Sequence, residues 1–372
     1  MAVNNCTCAS SPPLLSSKPH HSNPPRFHPH PNFPKFDRCS FPTVSWRQNL
    51  GSLSTSDSRL VRASASASDS GSDSESREPM LPPYNVLITG STKGIGYALA
   101  KEFLKAGDNV VICSRSEVPW SKMCLKDLYV QPLHPILHGF WKCKSLRQDF
   151  GEQHVWGTNC DVREGQDVKD LVAFAQKNLK YIDIWINNAG SNAYSYKPLA
   201  EASDEDLIEV VTTNTLGLML CCREAIKMMF NQPRGGHIFN IDGAGSDGRP
   251  TPRFAAYGAT KRSVVHLTKS LQAELQMQDV KNVAVHNLSP GMVTTDLLMS
   301  GATTKQAKFF INVLAEPPEV VAEYLVPNIR SVPANGSMKP TYIRFLTGIK
   351  AYSQIFSRFA FGARRNRYVL ED

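Results

Sequence analysis

A tyrosine and a lysine four residues apart, Tyr257 and Lys261 in AAYGATKRSV, are the first residues whose types and spacing point to chemistry. On a helix of about 3.6 residues per turn they share one face. A lysine ammonium beside a phenol favours the phenolate and lowers its pKa, so the pair is able to deliver or accept a proton near neutral pH. The same spacing also arises by chance on a solvated face, so the pair needs support from the rest of the chain. A second candidate is the glycine run of YNVLITGSTKGIGYALAKEFLKAG, with Gly90, Gly94 and Gly96 and, between them, Ser91, Lys93 and Ile95. An apolar stretch, Val86 to Thr89, precedes it, and Ile95, Leu99 and Phe103 follow at helical spacing. Strand, glycine turn and helix make a phosphate loop credible. Glycines let the backbone approach a pyrophosphate, and the helix N-terminus offers free N–H groups and a partial positive charge.

Other elements must hold these residues together. NVVICSR reads as a second strand, and the residue just beyond it meets the adenine ribose in a dinucleotide site. An acid there suits the free 2′-hydroxyl of NAD. This chain has Ser114 and Arg115, with Lys93 in the glycine loop, which suits the 2′-phosphate of NADP. NADPH is therefore the expected cofactor in preference to NADH. Further on, HVWGTNCDV, IDIWINNAG, GGHIFNI and NVAVHNLSPG read as strands, separated by helical stretches such as DVKDLVAFAQKNL and SVVHLTKSLQAEL. Such alternation predicts an α/β fold, one doubly wound parallel sheet with helices on both faces, and places the site at the C-terminal edge of the strands.

TGSTKGIG, NNAG, YGATK and SPGMVTT occur in the order and spacing of the short-chain dehydrogenase/reductases, and the chain resembles that family from about Tyr84 to Thr295. The resemblance implies a Rossmann-type sheet and assigns roles. Tyr257 resembles the general acid that protonates the substrate oxygen as hydride arrives. Lys261 would bind the nicotinamide ribose and keep the Tyr257 pKa low. Asn214, in TTNTLG, resembles the residue that holds a water in the proton relay. Asn188, Ala189 and Gly190 would support the sheet and the adenine side, and Asp161 would meet the adenine ring. Pro290, Gly291 and Thr295 would form the loop beside the carboxamide. One position departs from the family. The serine expected thirteen residues before the tyrosine is Ala244, or Gly243 if the loop has one extra residue. Ser246 is the candidate to take its place. Asp242 ranks lower, because an ionised acid repels a developing alkoxide.

The wording between the motifs, such as NIDGAGSDGRPTPRFAAYGATKRSV, is similar to that of the plant chlorophyll(ide) b reductases, the soluble stromal form in particular. This resemblance implies reduction of the 7-formyl group of chlorophyll b or chlorophyllide b in chlorophyll breakdown. It also implies a chloroplast protein of the stroma and the stromal face of the thylakoid. The implied partners are a membrane-anchored paralogous reductase, the light-harvesting complexes and the membrane surface. Another plastid carbonyl reductase, of the acyl-carrier type, and a non-catalytic scaffold subunit stay open as alternatives.

The chain has 372 residues and a formal net charge of +8. The first sixty residues hold only two acids, Asp37 and Asp57, against six Lys and Arg, amid Ser, Pro and His. That is the composition of an organellar transit peptide, expected over 1–63 with processing near Ala63. A solvated linker is expected over 64–80 and the reductase domain over 81–300. Over 301–372 helices are expected to meet substrate or a membrane surface. Tyr342, Phe345, Ile349, Tyr352, Phe356 and Phe359 recur there at helical spacing, interleaved with Arg344, Lys350, Arg358, Arg364, Arg365 and Arg367. No apolar run reaches the ~18 residues of a membrane span. The nine cysteines show neither CxxC pairs nor metal spacing, so free thiols and no metal are expected. Basic residues are too few, and no module is present, for nucleic acid. Residues 117–144 fit none of this. Pro119, Pro132 and Pro135 forbid the continuous crossover helix expected after Arg115, and also the helix that would make His134 and His138 metal ligands. The stretch reads as translated intron or a misjoined exon, since the codon of Val118 begins with GT as introns do. The alternative is a genuine substrate or partner loop.

Overall fold

The structure, a computed structural model, describes residues 78–115, 138–193 and 197–371, without the side chains of residues 138–141. The transit peptide, almost all of the linker and most of the 117–144 stretch lie outside the described residues. Among the described residues seven parallel strands form the sheet: β1 (Asn85–Ile88), β2 (Asn109–Ser114), β3 (Val155–Asn159), β4 (Ile184–Asn187), β5 (Gly236–Ile241), β6 (Val283–Ser289) and β7 (Tyr342–Arg344). Their order is β3-β2-β1-β4-β5-β6-β7, which reverses direction at β1 and β4. A ligand crevice lies at such a reversal, outside the carboxyl ends of the strands.

Every residue of β1, β4 and β5 is buried, the pattern of a sheet covered on both faces. Alternate residues of each strand enter opposite cores. Val86, Ile88, Val110 and Ile112 pack against Leu99 and Phe103 of α1 (Gly94–Lys105), Leu146 of α2 (His138–Phe150), and Leu325 and Ile329 of α9 (Pro318–Ala334). Leu87, Val111, Trp185, Ile238 and Val285 pack on the other face. Their partners include Leu171 of α3 (Gly165–Leu179), Met229 of α5 (Leu218–Phe230) and Leu275 of α6 (Ala255–Met277).

Two sequence expectations are corrected. The helix α2 begins at His138, inside the stretch read as foreign, and Cys143 and Leu146 bury themselves in the core. It starts after Pro135, the last proline of the stretch, so no proline interrupts it. His134 lies outside the described residues. The C-terminal region is not a run of surface helices appended to the domain. It supplies α9, which packs on α1, and β7, which pairs with β6 at Asn287–Tyr342. Tyr342 and Phe345 therefore leave the helical stripe: one lies in β7, the other is buried just beyond it. The rest of the stripe, Ile349, Tyr352, Phe356 and Phe359, lies on the helix α10 (Gly348–Phe361), which packs on α8 (Lys305–Leu314).

The α9 helix is fastened by charge as well as by packing. Asp108, fully buried, accepts hydrogen bonds from Tyr84 N (2.9 Å) and Arg330 Nη2 (3.2 Å). Replacing Arg330 by alanine strands that carboxylate in the core. We expect Arg330→Ala to lower the unfolding free energy by about 3 kcal/mol, read by urea denaturation.

Candidate active site

The glycine loop has the backbone its sequence promised. Gly90 and Gly94 take positive φ (+61° and +56°), which a side chain resists. A Cβ on Gly96 would lie 2.4 Å from Asn188 Nδ2 and 2.7 Å from Gly90 O, so the first turn of α1 sits directly on the loop. Asn188 closes the loop from β4, its Nδ2 donating to Thr89 O and Gly90 O (both 2.9 Å). The N–H groups of Asn188 and Ala189 donate to Thr89 Oγ1 (3.1 Å each). Lys93 caps α1 exposed to solvent, and Ile95 is half-buried. Ser91 differs from expectation: its hydroxyl is buried, donates to Ile88 O (2.6 Å) and accepts from Cys113 N (3.0 Å). It builds the loop and does not point to a ligand. On the far side of the crevice Thr295 caps the short helix α7 (Asp296–Met299), and its methyl group is 3.1 Å from where a Gly94 Cβ would be. Pro290 is buried, and Gly291, at φ +73°, packs under Leu346.

Beyond β2, Arg115 is half-exposed and pairs with Glu209 Oε1 (2.7 Å). Glu209 also holds Arg163, which is bonded in turn to Asp161. Burial alone would raise the Asp161 carboxyl, but the Arg163 hydrogen bonds and charge outweigh it and hold it low. The structure thus joins Arg115 and Asp161 through Glu209 and Arg163, neither of which the motifs single out. Glu209 belongs to α4 (Asp204–Val211), far away in sequence, so spacing carries no signal of it.

The catalytic candidates meet at the carboxyl end of β5. Asn214 lies in a π-helical turn, Thr212–Gly217, the kind of local widening that recurs at functional sites. Its side chain bridges both backbone groups of Ser191 (2.8 Å each) and reaches Thr260 Oγ1 (3.1 Å). Lys261 Nζ is buried, donates to Ile241 O (3.2 Å) and lies 5.7 Å from the centre of the Tyr257 ring. Gly190 belongs with these residues: a Cβ there would be 3.4 Å from Asn214 Oδ1 and 3.7 Å from Lys261 Nζ. It borders the proton chemistry, not the adenine side where it was expected.

Gly243 resolves the missing serine. A Cβ on it would lie 2.6 Å from the Tyr257 hydroxyl, so residue 243 faces the tyrosine and carries no hydroxyl. Ser246 does not swing into that role here. It is buried and donates to Asp242 Oδ2 (3.0 Å), which also accepts from Tyr342 OH. The expected lowering of the tyrosine pKa is absent as well. Burial raises the Tyr257 phenol, and the Asp242 carboxylate raises it further. Burial lowers Lys261 to about 8, against the opposing pull of Asp242. The arrangement is a protonated phenol and a lysine poised near neutrality, beneath an opening left by a glycine. Among the described residues no cluster of His, Cys, Asp and Glu is able to hold a metal ion.

Comparison with known proteins agrees with this geometry. The short chain dehydrogenase family model matches residues 84–128 and 141–306, more than half of the chain, and the chain belongs to that family. It is 73% identical to chlorophyll(ide) b reductase NOL, chloroplastic, of Arabidopsis thaliana, over 90% of each chain. It is 45% identical to probable chlorophyll(ide) b reductase NYC1, chloroplastic, of Oryza sativa subsp. japonica, over 68% of this chain and 49% of that protein. Two solved structures are each 25% identical with a TM-score of 0.57. One, a 3-ketoacyl-(acyl-carrier-protein) reductase from Brucella melitensis complexed with NADH, is covered in full by 73% of this chain. The other, a single-substitution variant of actinorhodin polyketide ketoreductase with NADPH, is covered to 97% by 72% of it.

The opening at Gly243 generates a test. In Gly243→Ala the new methyl group has to displace the Tyr257 hydroxyl. A displacement of about 1 Å in an active site costs on the order of 100-fold. We expect kcat to fall by about that factor while the urea midpoint stays near that of the wild type.

Proposed function

We propose that this short-chain dehydrogenase is an NADPH-dependent chlorophyll(ide) b reductase, converting the 7-formyl group of chlorophyll b or chlorophyllide b to 7-hydroxymethyl. The observation that carries this reading is the Tyr257 hydroxyl lying beside a residue without a side chain, Gly243. A bulky planar ring then has room over the proton donor. The 73% identity to a protein of that name supports the substrate.

The residues fit a dinucleotide. The cradle at Gly90, Gly94 and Gly96 leaves no room for Cβ atoms, and the α1 N-terminus opens onto it. Bound there, NADPH supplies the hydride. Lys93 and Arg115 are placed to take its 2′-phosphate, Arg115 leaving Glu209 to do so. Asp161, Asn188, Ala189 and Gly190 line the crevice on one side, and Pro290, Gly291 and Thr295 on the other. The protein contributes the proton: Tyr257 donates its O–H to the carbonyl oxygen, so the formyl group gains one hydride and one proton and becomes an alcohol. Lys261 holds the nicotinamide ribose, and Asn214, fixed by Ser191 and Thr260, holds a water of the relay that reprotonates the phenol. With Gly243 opposite, Tyr257 is the side chain that polarises the carbonyl.

The relatives are named chloroplastic, and we place this protein in the chloroplast, working from the stroma at the thylakoid surface. Among the described residues no helix is long and apolar enough to cross a membrane. Contact with the membrane falls to α10, whose Ile349, Tyr352, Phe356 and Phe359 are all at least 66% exposed. Its basic residues are not all available. Arg358 pairs with Glu371, Arg364 and Arg367 pair with Glu316, and Lys350 Nζ lies 3.6 Å from the centre of the Phe345 ring. The α8 aromatics are engaged too, Phe309 against Phe359 at 5.8 Å between ring centres. A helix of this kind lies in a lipid surface, where chlorophyll is met in light-harvesting complexes and a membrane-anchored paralogue of the NYC1 type is within reach.

Three outcomes test this. With chlorophyllide b and NADPH, the wild type yields the 7-hydroxymethyl product by chromatography. Tyr257→Phe loses at least about 100-fold in turnover and keeps its NADPH fluorescence signal. A variant with Tyr352→Asp and Phe356→Asp co-sediments far less with phosphatidylglycerol-containing vesicles and reduces soluble chlorophyllide b at an unchanged rate.

A further inference from the structure

The strand that ends beneath the site is followed directly by an acid that the proton transfer just described does not use. Asp242 is buried, and its N–H donates to Leu288 O (2.9 Å). Its Oδ2 is clamped by two hydroxyl donors, Ser246 from the following loop and Tyr342 from β7. Its Oδ1 is buried without a hydrogen-bond partner. The residues on either side reach the catalytic pair. Ile241 O accepts from Lys261 Nζ, and the Gly243 position abuts both the Tyr257 hydroxyl and the Lys261 side chain. The groups that act on Asp242 are Tyr342 of β7, Ser289 of β6, Ser246 of the loop and Lys261 of α6.

We propose that Asp242 is a positioning residue for the Tyr257–Lys261 pair: clamped by Ser246 and Tyr342, it supplies the buried negative charge that holds Lys261 as an ammonium and Tyr257 as a phenol, so that the site gives a proton to a carbonyl rather than taking one from an alcohol. The inference rests on the reductase reading above. An ammonium withdrawn from water loses its charge unless an opposite charge lies nearby, and a phenol facing a carboxylate resists ionisation. Burial lowers Lys261, and Asp242 opposes it; burial raises Tyr257, and Asp242 adds to it. Both effects favour the acid form that reduction needs. Burial holds Asp242 above the usual carboxylate range, and the hydrogen bonds from Tyr342 and Ser246, with the Lys261 charge, pull it part of the way back. The clamp favours the charged form of an acid that burial works against.

The test is the pH dependence of NADPH binding and of chlorophyllide b reduction by the full chain, comparing the wild type with Asp242→Asn. The amide keeps an oxygen for Ser246 and Tyr342 and removes the charge. In the wild type both signals decline as Lys261 deprotonates near pH 8. NADPH binding weakens about fivefold there, as a charged hydrogen bond becomes a neutral one. In Asp242→Asn the decline begins about one pH unit lower. Tyr342→Phe, which removes one donor of the clamp, shifts the decline in the same direction by less. If the Asp242→Asn decline coincides with the wild type's, or turnover falls equally at every pH, the proposal is overturned. If Asp242→Asn does not fold, Asp242→Ser removes the charge without added bulk and is judged on the same curve. A wild type that binds NADPH but reduces no pigment sinks the reductase reading alone, because the binding curves still decide the role of Asp242.

Discussion

A lysine ammonium withdrawn from water needs partners, and the site is organised around that need. Lys261 finds one in the last carbonyl of β5 and another in the charge of the adjacent Asp242. The contact ties α6 to the central sheet at the level where the strands end. It thereby fixes the height of Tyr257, one turn earlier on the same helix. Asn214 and Gly190 complete the surroundings of the ammonium from the two neighbouring elements. Moving any of these backbones by a side chain's width would uncouple the phenol from its setting. That accounts for glycine at positions 190 and 243, where the chain passes closest.

The cofactor end obeys a similar constraint of close approach, with neutral groups. Asn188 satisfies the carbonyls of Thr89 and Gly90, which would otherwise face inward unpaired. Ser91 ties the same loop to β2. The loop is therefore held before any ligand arrives, which reduces the ordering cost that binding must overcome. The charged corner at Arg115, Glu209, Arg163 and Asp161 is organised differently, as an ion-pair chain whose outermost member is half-exposed. One corner is rigid and the other is exchangeable, which matches a diphosphate common to all dinucleotides and a 2′-phosphate carried by some.

Much of this was legible in the sequence because the relevant signals are local. The glycine loop, the Tyr257–Lys261 spacing and the strand–helix alternation each fit within a few turns of chain, and the structure places them as expected. What escaped was set by contacts between distant segments. Tyr342 meets Asp242 across 100 residues of sequence. The segment TYIRF matched helical spacing only because Ile349 and Tyr352 continue the count, although its own alternation suits an edge strand. The loop after β5 left Ala244 and Gly243 equally eligible for the serine position, since one residue of loop length decides which faces the tyrosine. The lowered tyrosine pKa was inferred from Lys261 alone, and burial with a second charge reversed it.

The last strand and the helix before it have a consequence for how the molecule comes into being. The crevice is built from residues 84–295, yet the acid beneath it is clamped by Tyr342, and the first strands are braced by Arg330. A chain emerging from the ribosome holds the cofactor loop long before it holds these two residues. Such a partial chain presents one bare sheet edge and an uncovered face over α1. The order of synthesis thus runs opposite to the order of need: the residues that brace the crevice are made after the residues that line it.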